Sequence, residues 1–240
     1  LIRLWTDLAP QALWSFTGQG LAVFGAVSAA IGTIGAYRAE RLKPMIAYST
    51  VAQIGYMVLA LGVAAAEPRA LAAVIAFVAA HAVAKSALFL AAGQMVKANG
   101  HDEIARLADP GPDWGPMRGA VAIAAATLIG LPPTGGFAAK WTLAQSGMAG
   151  GLWWVPLVLV LGGLATAGYM TRLAAALMRR APDTRGVDAW SPEMQSEGAR
   201  DAAAPKPVAD GGWASLGLAM LALALGFASL PIAALMESGA

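Results

Sequence analysis

His81 and Lys85 lie four residues apart in the segment Ala79-Ala80-His81-Ala82-Val83-Ala84-Lys85-Ser86. At helical spacing, residues i and i+4 share one face, so the imidazole and the amine would project side by side. Both groups take up and release protons once partly dehydrated, and the pair reads as a proton relay. A lysine at the centre of a membrane span costs about 2.5–3.5 kcal/mol on insertion scales, so it persists where something requires it. The alternative is structural: a lysine paired with a carboxylate on a partner helix outside this chain.

Lys140 follows the run Gly130-Leu131-Pro132-Pro133-Thr134-Gly135-Gly136. Two prolines lack the donors a helix needs and the glycines weaken it, so 130–136 breaks the surrounding apolar segment. Backbone opened at membrane depth is tolerated only against protein or a water-filled cavity. Broken helices recur in transporters because their ends serve ions. Lys140 is therefore a second candidate proton carrier, and Gly130, Pro132, Pro133, Gly135 and Gly136 form the expected break. The competing reading is a plain proline kink with an interfacial lysine.

Other polar residues are less specific. Tyr48, Ser49, Thr50 and Gln53 could line a water path, with Thr134 in the break, or their hydroxyls could simply bond their own helix backbone. Thr166, Tyr169 and Arg172 could face a pathway exit, although Tyr and Arg near a helix end also serve as interface anchors. His101, Asp102 and Glu103 cluster in a polar loop but lack the further ligands a metal site needs. The expected metal and cofactor complement is none: there is no cysteine, phosphate loop, dinucleotide fingerprint or nucleophile elbow, and thus no catalytic centre.

The elements that position these residues follow from composition. The 240 residues are 58% hydrophobic and 12% charged, with mean hydropathy +0.61. Soluble domains run near a quarter charged, so lipid is the expected solvent. The net charge of +2 is spread between apolar runs, which argues against a nucleic-acid partner. Stretches of roughly 20 apolar residues mark spans. Six are expected, in an all-α integral membrane fold: about 18–37, 45–65, 70–96, 117–146 broken at 130–136, 152–178, and a C-terminal helix within 213–240. Residues 179–212, with Pro182, Pro192, Pro205 and Pro207, read as a hydrophilic linker.

Basic residues concentrate in the first, third and fifth loops, including Arg38, Arg41, Lys43, Lys97, Arg106, Arg118, Arg179 and Arg180. The positive-inside rule makes those loops cytoplasmic, with both termini outside. Leu1-Ile2-Arg3-Leu4-Trp5 has neither an initiator Met nor signal-peptide zones, and Arg beside Trp is typical of a helix end. A further helix upstream is expected.

Three segments carry a resemblance. The run from Arg41 through Tyr56 (Arg-Leu-Lys-Pro-Met-Ile-Ala-Tyr-Ser-Thr-Val-Ala-Gln-Ile-Gly-Tyr), His81 through Leu90, and Gly130 through Lys140 resemble, in order and spacing, the motifs of the antiporter-like subunits of respiratory complex I and the Mrp cation/proton antiporters. The likeness covers residues 1–178, and the third motif resembles Mrp-type subunits at least as well as complex I ones. It implies a fold of two inverted five-helix repeats, each with one broken helix, followed by a further helix. This chain resembles the second repeat, residues 1–178, plus that last helix. The family's central relay lysine and its histidine fall at Lys85 and His81, and the lysine beside the second broken helix at Lys140. A further family histidine would fall at Phe77, where it is missing. The implied function is proton translocation within a multi-subunit complex in the bacterial cytoplasmic membrane, with other membrane subunits and lipid as partners. Sodium joins the proton if the complex is a cation antiporter, and redox chemistry belongs to partners if it is an NADH:quinone oxidoreductase. A non-transporting scaffold or degenerate fragment is the alternative. The first repeat lies outside this sequence, so a complete transmembrane path is not expected from it alone.

Overall fold

The structure is a computed structural model that describes residues 14–107, 114–177 and 212–238, with side chains between 17 and 227. The opening residues and the expected linker, except Gly212, lie outside the described residues. Among the described residues seven α-helices run in order: α1 (Trp14–Arg38), α2 (Leu42–Val63), α3 (Ala70–Asn99), α4 (Gly115–Ile129), α5 (Gly135–Ala149), α6 (Trp154–Leu177) and α7 (Trp213–Ser238). A short 3-10 turn, Ile104–Arg106, follows α3. Among the described residues there is no strand, only an isolated antiparallel bridge between Arg41 and Glu103.

The fold is thus all-α, and α1, α2, α3 and α6 are each long and apolar enough to cross a membrane alone. The fourth expected span looks different. It is two separate helices of 15 residues each, α4 and α5. At 1.5 Å per residue each is about 22 Å long, short of the roughly 30 Å hydrocarbon thickness. The last expected span is the 26-residue α7, whose side chains are described as far as Phe227.

Local chemistry explains the break. α4 stops at Gly130, whose φ of 88° and ψ of 48° lie in the left-handed region that a side chain disfavours. The Gly130 N–H closes the helix on the Ala126 carbonyl at 3.0 Å. Pro132 and Pro133 cannot donate, and Thr134 then caps α5: its hydroxyl accepts from the Phe137 N–H at 3.3 Å and donates to the Leu131 carbonyl at 2.7 Å. Pro44 falls in the first turn of α2, where a missing donor leaves no helix bond unmade.

Packing divides the bundle into two apolar cores. One gathers Leu42, Met45 and Ile46 of α2, Ala84 and Leu88 of α3, Leu128 of α4 and Leu173 of α6. The other gathers Tyr56 and Leu59 of α2, Phe77 of α3, Leu143 of α5 and Leu159 of α6. Between them on α2 come Ser49 and Gln53, on α3 His81, and on α6 Thr166. A polar layer crosses the bundle at mid-height.

At one end, the residues after α3 fold back onto the α1–α2 turn. The Leu42 N–H donates to the Asp102 carbonyl at 2.7 Å and the Ile104 N–H to the Glu40 carbonyl at 3.0 Å. Arg41 pairs with the Asp102 carboxylate at 2.8 Å. The His101–Glu103 cluster thus contributes structure here.

Candidate functional site

The polar layer is built around two lysines. Lys85, on the inner face of α3, is only 5% exposed. Its Nζ donates to the Ile46 carbonyl of α2 at 2.6 Å and to the Ser49 hydroxyl. Ser49 in turn donates to the same Ile46 carbonyl at 2.8 Å, so its hydroxyl accepts from Lys85 while staying anchored to its own helix. The Phe89 ring, one turn along α3, stands 5.8 Å from the ammonium.

Lys140, on α5, is 8% exposed. Its Nζ donates to the carbonyls of Leu128 at 2.8 Å and Ile129 at 2.9 Å. These carbonyls are among the last four of α4, which no intrahelical donor can reach. The C-terminal end of a helix also carries partial negative charge, so the break turns that end toward a cation. Gln53 donates to the Leu128 carbonyl as well, at 3.2 Å. The rings of Tyr56 at 5.4 Å and Phe77 at 5.9 Å complete the surround. Phe77 thus faces Lys140 with an aromatic ring.

Both lysines have the same type of surround: two uncharged oxygens each, and aromatic rings. Among the described residues the ion pairs are Arg41–Asp102 and Arg106–Glu103, and neither involves these lysines. A buried charge held only by neutral oxygens is costly, and breaking its bonds would be costlier. His81 lies close enough to both lysines to feel each charge. Its Nδ1 is buried without a hydrogen-bond partner.

The remaining candidates separate. Ser49, Gln53 and Thr166 are fully buried in the layer. Thr166 donates to the Gly162 carbonyl at 2.8 Å. Tyr169, also fully buried, packs edge-on against Tyr37 with ring centroids 6.1 Å apart. Thr50 bonds its own helix, donating to the Ile46 carbonyl at 3.2 Å. Gly130, Pro132, Pro133 and Thr134 form the turn between α4 and α5, Gly135 and Gly136 open α5, and Gly130 lies against the Lys140 side chain. Tyr48, expected beside Ser49, is 45% exposed on the outer surface of α2, its ring lying over Gly35 of α1. Consecutive residues of a helix point about 100° apart, and here Ser49 faces the bundle while Tyr48 falls on the outer side. Arg172 fastens α6 to the end of α1, donating to the carbonyls of Tyr37 and, at 3.1 Å, Ala39. It also lines a cavity of about 580 Å³ with Glu40, Arg41 and Glu103.

Sequence reasoning missed the carbonyls of Ile46, Leu128 and Ile129 and the rings of Phe89 and Tyr56. Backbone acceptors have no sequence signature. Phe89, four residues after Lys85, could have been found from helical spacing alone.

Residues 1–166 match the family described as "NADH:quinone oxidoreductase/Mrp antiporter, TM". NADH-quinone oxidoreductase subunit N of Desulforudis audaxviator is 36% identical over 157 residues, 65% of this chain and 31% of that protein. The subunit N of Cereibacter sphaeroides is 32% identical over 205 residues, 84% of this chain and 43% of its own length. The chain therefore spans less than half the length of these curated relatives. Among solved structures, a chain of the Mrp complex from Dietzia sp. superposes with a TM-score of 0.74 at 24% identity, over 91% of this chain and 45% of that one. At that identity the likeness concerns the fold.

Proposed function

The chain belongs to the NADH:quinone oxidoreductase/Mrp antiporter transmembrane family, and from that membership we propose that it carries protons at the middle of a membrane, with Lys85 and Lys140 alternating between charged and neutral states. His81 connects the two through water. The reading includes a place among other membrane subunits of a multi-subunit complex. It further includes a bacterial cytoplasmic membrane, with the basic end of the bundle inside and both termini outside. The domain unit is the second repeat, residues 1–178, followed by a linker and a final helix.

The ligand set of the two lysines supports this reading. A neutral amine keeps two N–H donors, and each lysine has two neutral acceptors: Ile46 O and Ser49 Oγ for Lys85, Leu128 O and Ile129 O for Lys140. Loss of the third proton leaves both bonds in place, so either state is satisfied by the same backbone geometry. Neither lysine has a carboxylate partner among the described residues, so neither is held in its charged form by an ion pair within this chain.

The test is Lys85→Ala in the complete subunit within its complex, measured as proton uptake into inverted vesicles. Positioned proton-transfer groups contribute about 10²–10⁴-fold, so uptake should fall at least tenfold at normal assembly. Unchanged uptake in a fully assembled variant removes the reading.

A further inference from the structure

One group in the layer stays unused by the lysine exchange. The Tyr169 hydroxyl, on the inner face of α6, lies beside the side chains of Ser49, Gln53 and Thr166. It is buried and forms a hydrogen bond with none of them. A buried hydroxyl without a protein partner costs about 1–3 kcal/mol, so its position calls for an explanation. Each neighbour has a donor directed elsewhere: Ser49 to Ile46 O, Gln53 to Leu128 O, Thr166 to Gly162 O. Their oxygens therefore remain as acceptors for the tyrosine proton.

Two of those neighbours are the ends of the lysine sites. Ser49 receives the Lys85 ammonium. Gln53, one turn further along α2, shares the Leu128 carbonyl with Lys140. The Tyr169 hydroxyl thus sits where the two lysine surrounds approach each other on the α2–α6 side, across the layer from α3 and His81. A hydroxyl donates and accepts at once, whereas passing a proton through the Gln53 carboxamide would require its imidic-acid form.

We infer that the Tyr169 hydroxyl is a relay group joining Lys85 to Lys140 along the α2–α6 face, by a route separate from His81. The inference rests on the proposed exchange between the lysines. In one passage the Lys85 ammonium gives a proton to Ser49 Oγ, whose own proton leaves the Ile46 carbonyl and reaches Tyr169 Oη through water. The proton released by Tyr169 reaches the neutral Lys140 amine through water. Each O–H bond broken is matched by one formed; Lys85 ends neutral and Lys140 charged. Tyr37 packed edge-on and Arg172 tied to the end of α1 hold the ring in place while the hydroxyl proton turns.

Tyr169→Phe and Tyr169→Ser, made in the complete subunit and measured in vesicles beside Lys85→Ala, distinguish relay from packing. Tyr169→Phe keeps the ring and should lower proton uptake about tenfold. Tyr169→Ser loses the ring but keeps a hydroxyl and admits water, and should retain more uptake than Tyr169→Phe. A packing role gives the reverse order and overturns the inference, as does wild-type uptake in Tyr169→Phe. Should Tyr169→Ser not assemble, infrared difference spectra decide: the tyrosine C–O band should respond to a pH step in the wild type and not in Lys85→Ala. A band indifferent to Lys85 overturns the inference. If Lys85→Ala abolishes uptake while Tyr169→Phe leaves it intact, the tyrosine route alone fails. If Lys85→Ala itself transports normally, the lysine exchange has failed first.

Discussion

Gly136→Ala should both destabilise the protein and disturb Lys140. Gly136 opens α5 directly against α4: a Cβ at this position would press on the Thr127 carbonyl oxygen and stand 2.9 Å from its carbon and 3.5 Å from the Thr127 Cα. These are backbone atoms of a helix and cannot swing aside as a flexible side chain would. Relief requires α4 and α5 to part, and the next two carbonyls along α4 are those bonded to Lys140 at 2.8 and 2.9 Å. Overpacking costs about 1–3 kcal/mol, and each bond to a charged group contributes about 1.5–3 kcal/mol. Part of one such bond lost on top of the clash gives a destabilisation of about 3 kcal/mol. The assay is equilibrium unfolding of the complete subunit in mixed detergent micelles. Gly93→Ala on α3, where a Cβ meets nothing within 4 Å, controls for the greater helix preference of alanine. Equal stability of the two variants would refute the close approach of the half-helices.

Two further outcomes test the surroundings of the layer. Arg172→Ala removes the donors that close the end of α1 on Tyr37 and Ala39, and should cost about 1–3 kcal/mol in the same unfolding assay; no loss would mean that solvent caps α1 equally well. Tyr48→Phe should leave proton uptake unchanged, because the hydroxyl belongs to an exposed ring, while Ser49→Ala next to it should lower uptake. Equal losses in both would place the inner face of α2 elsewhere.

The membrane class was legible because it is a bulk property: twelve charged residues per hundred leave little but lipid as solvent. The helix break was legible at Pro132-Pro133 because two adjacent residues lack donors. Which way each helix faces was not. In a soluble helix, polarity marks the outer side, but α2 is apolar all round, so nothing in its pattern separates Tyr48 from Ser49. The partners of the lysines were hidden for a different reason. Lys85 reaches a carbonyl 39 residues away and Gln53 one 75 residues away. Every residue owns a carbonyl, so only the packing of α2 against α3 and α4 selects these. The same holds for Asp102, legible as a loop residue but not as the partner of Arg41.

The choice of carbonyls over carboxylates has a consequence for the proposed exchange. A carboxylate 4 Å from an ammonium attracts it by about 4 kcal/mol at an effective dielectric of 20. Neutralising the lysine would strand that carboxylate, so the ion pair resists proton loss. The oxygens of Ile46, Leu128 and Ile129 strand nothing: they accept from an amine as they do from an ammonium. Their dipoles are fixed by helix geometry and need not reorganise as charge departs. Without Lys140 the Ile129 carbonyl would lose its side-chain donor at the α4 terminus and the Leu128 carbonyl would keep only Gln53, which ties the lysine to the break in both protonation states. The broken helix is then more than an opening in the backbone: it supplies an acceptor pair matched to a neutral amine, with enough negative character to hold the extra proton when it arrives.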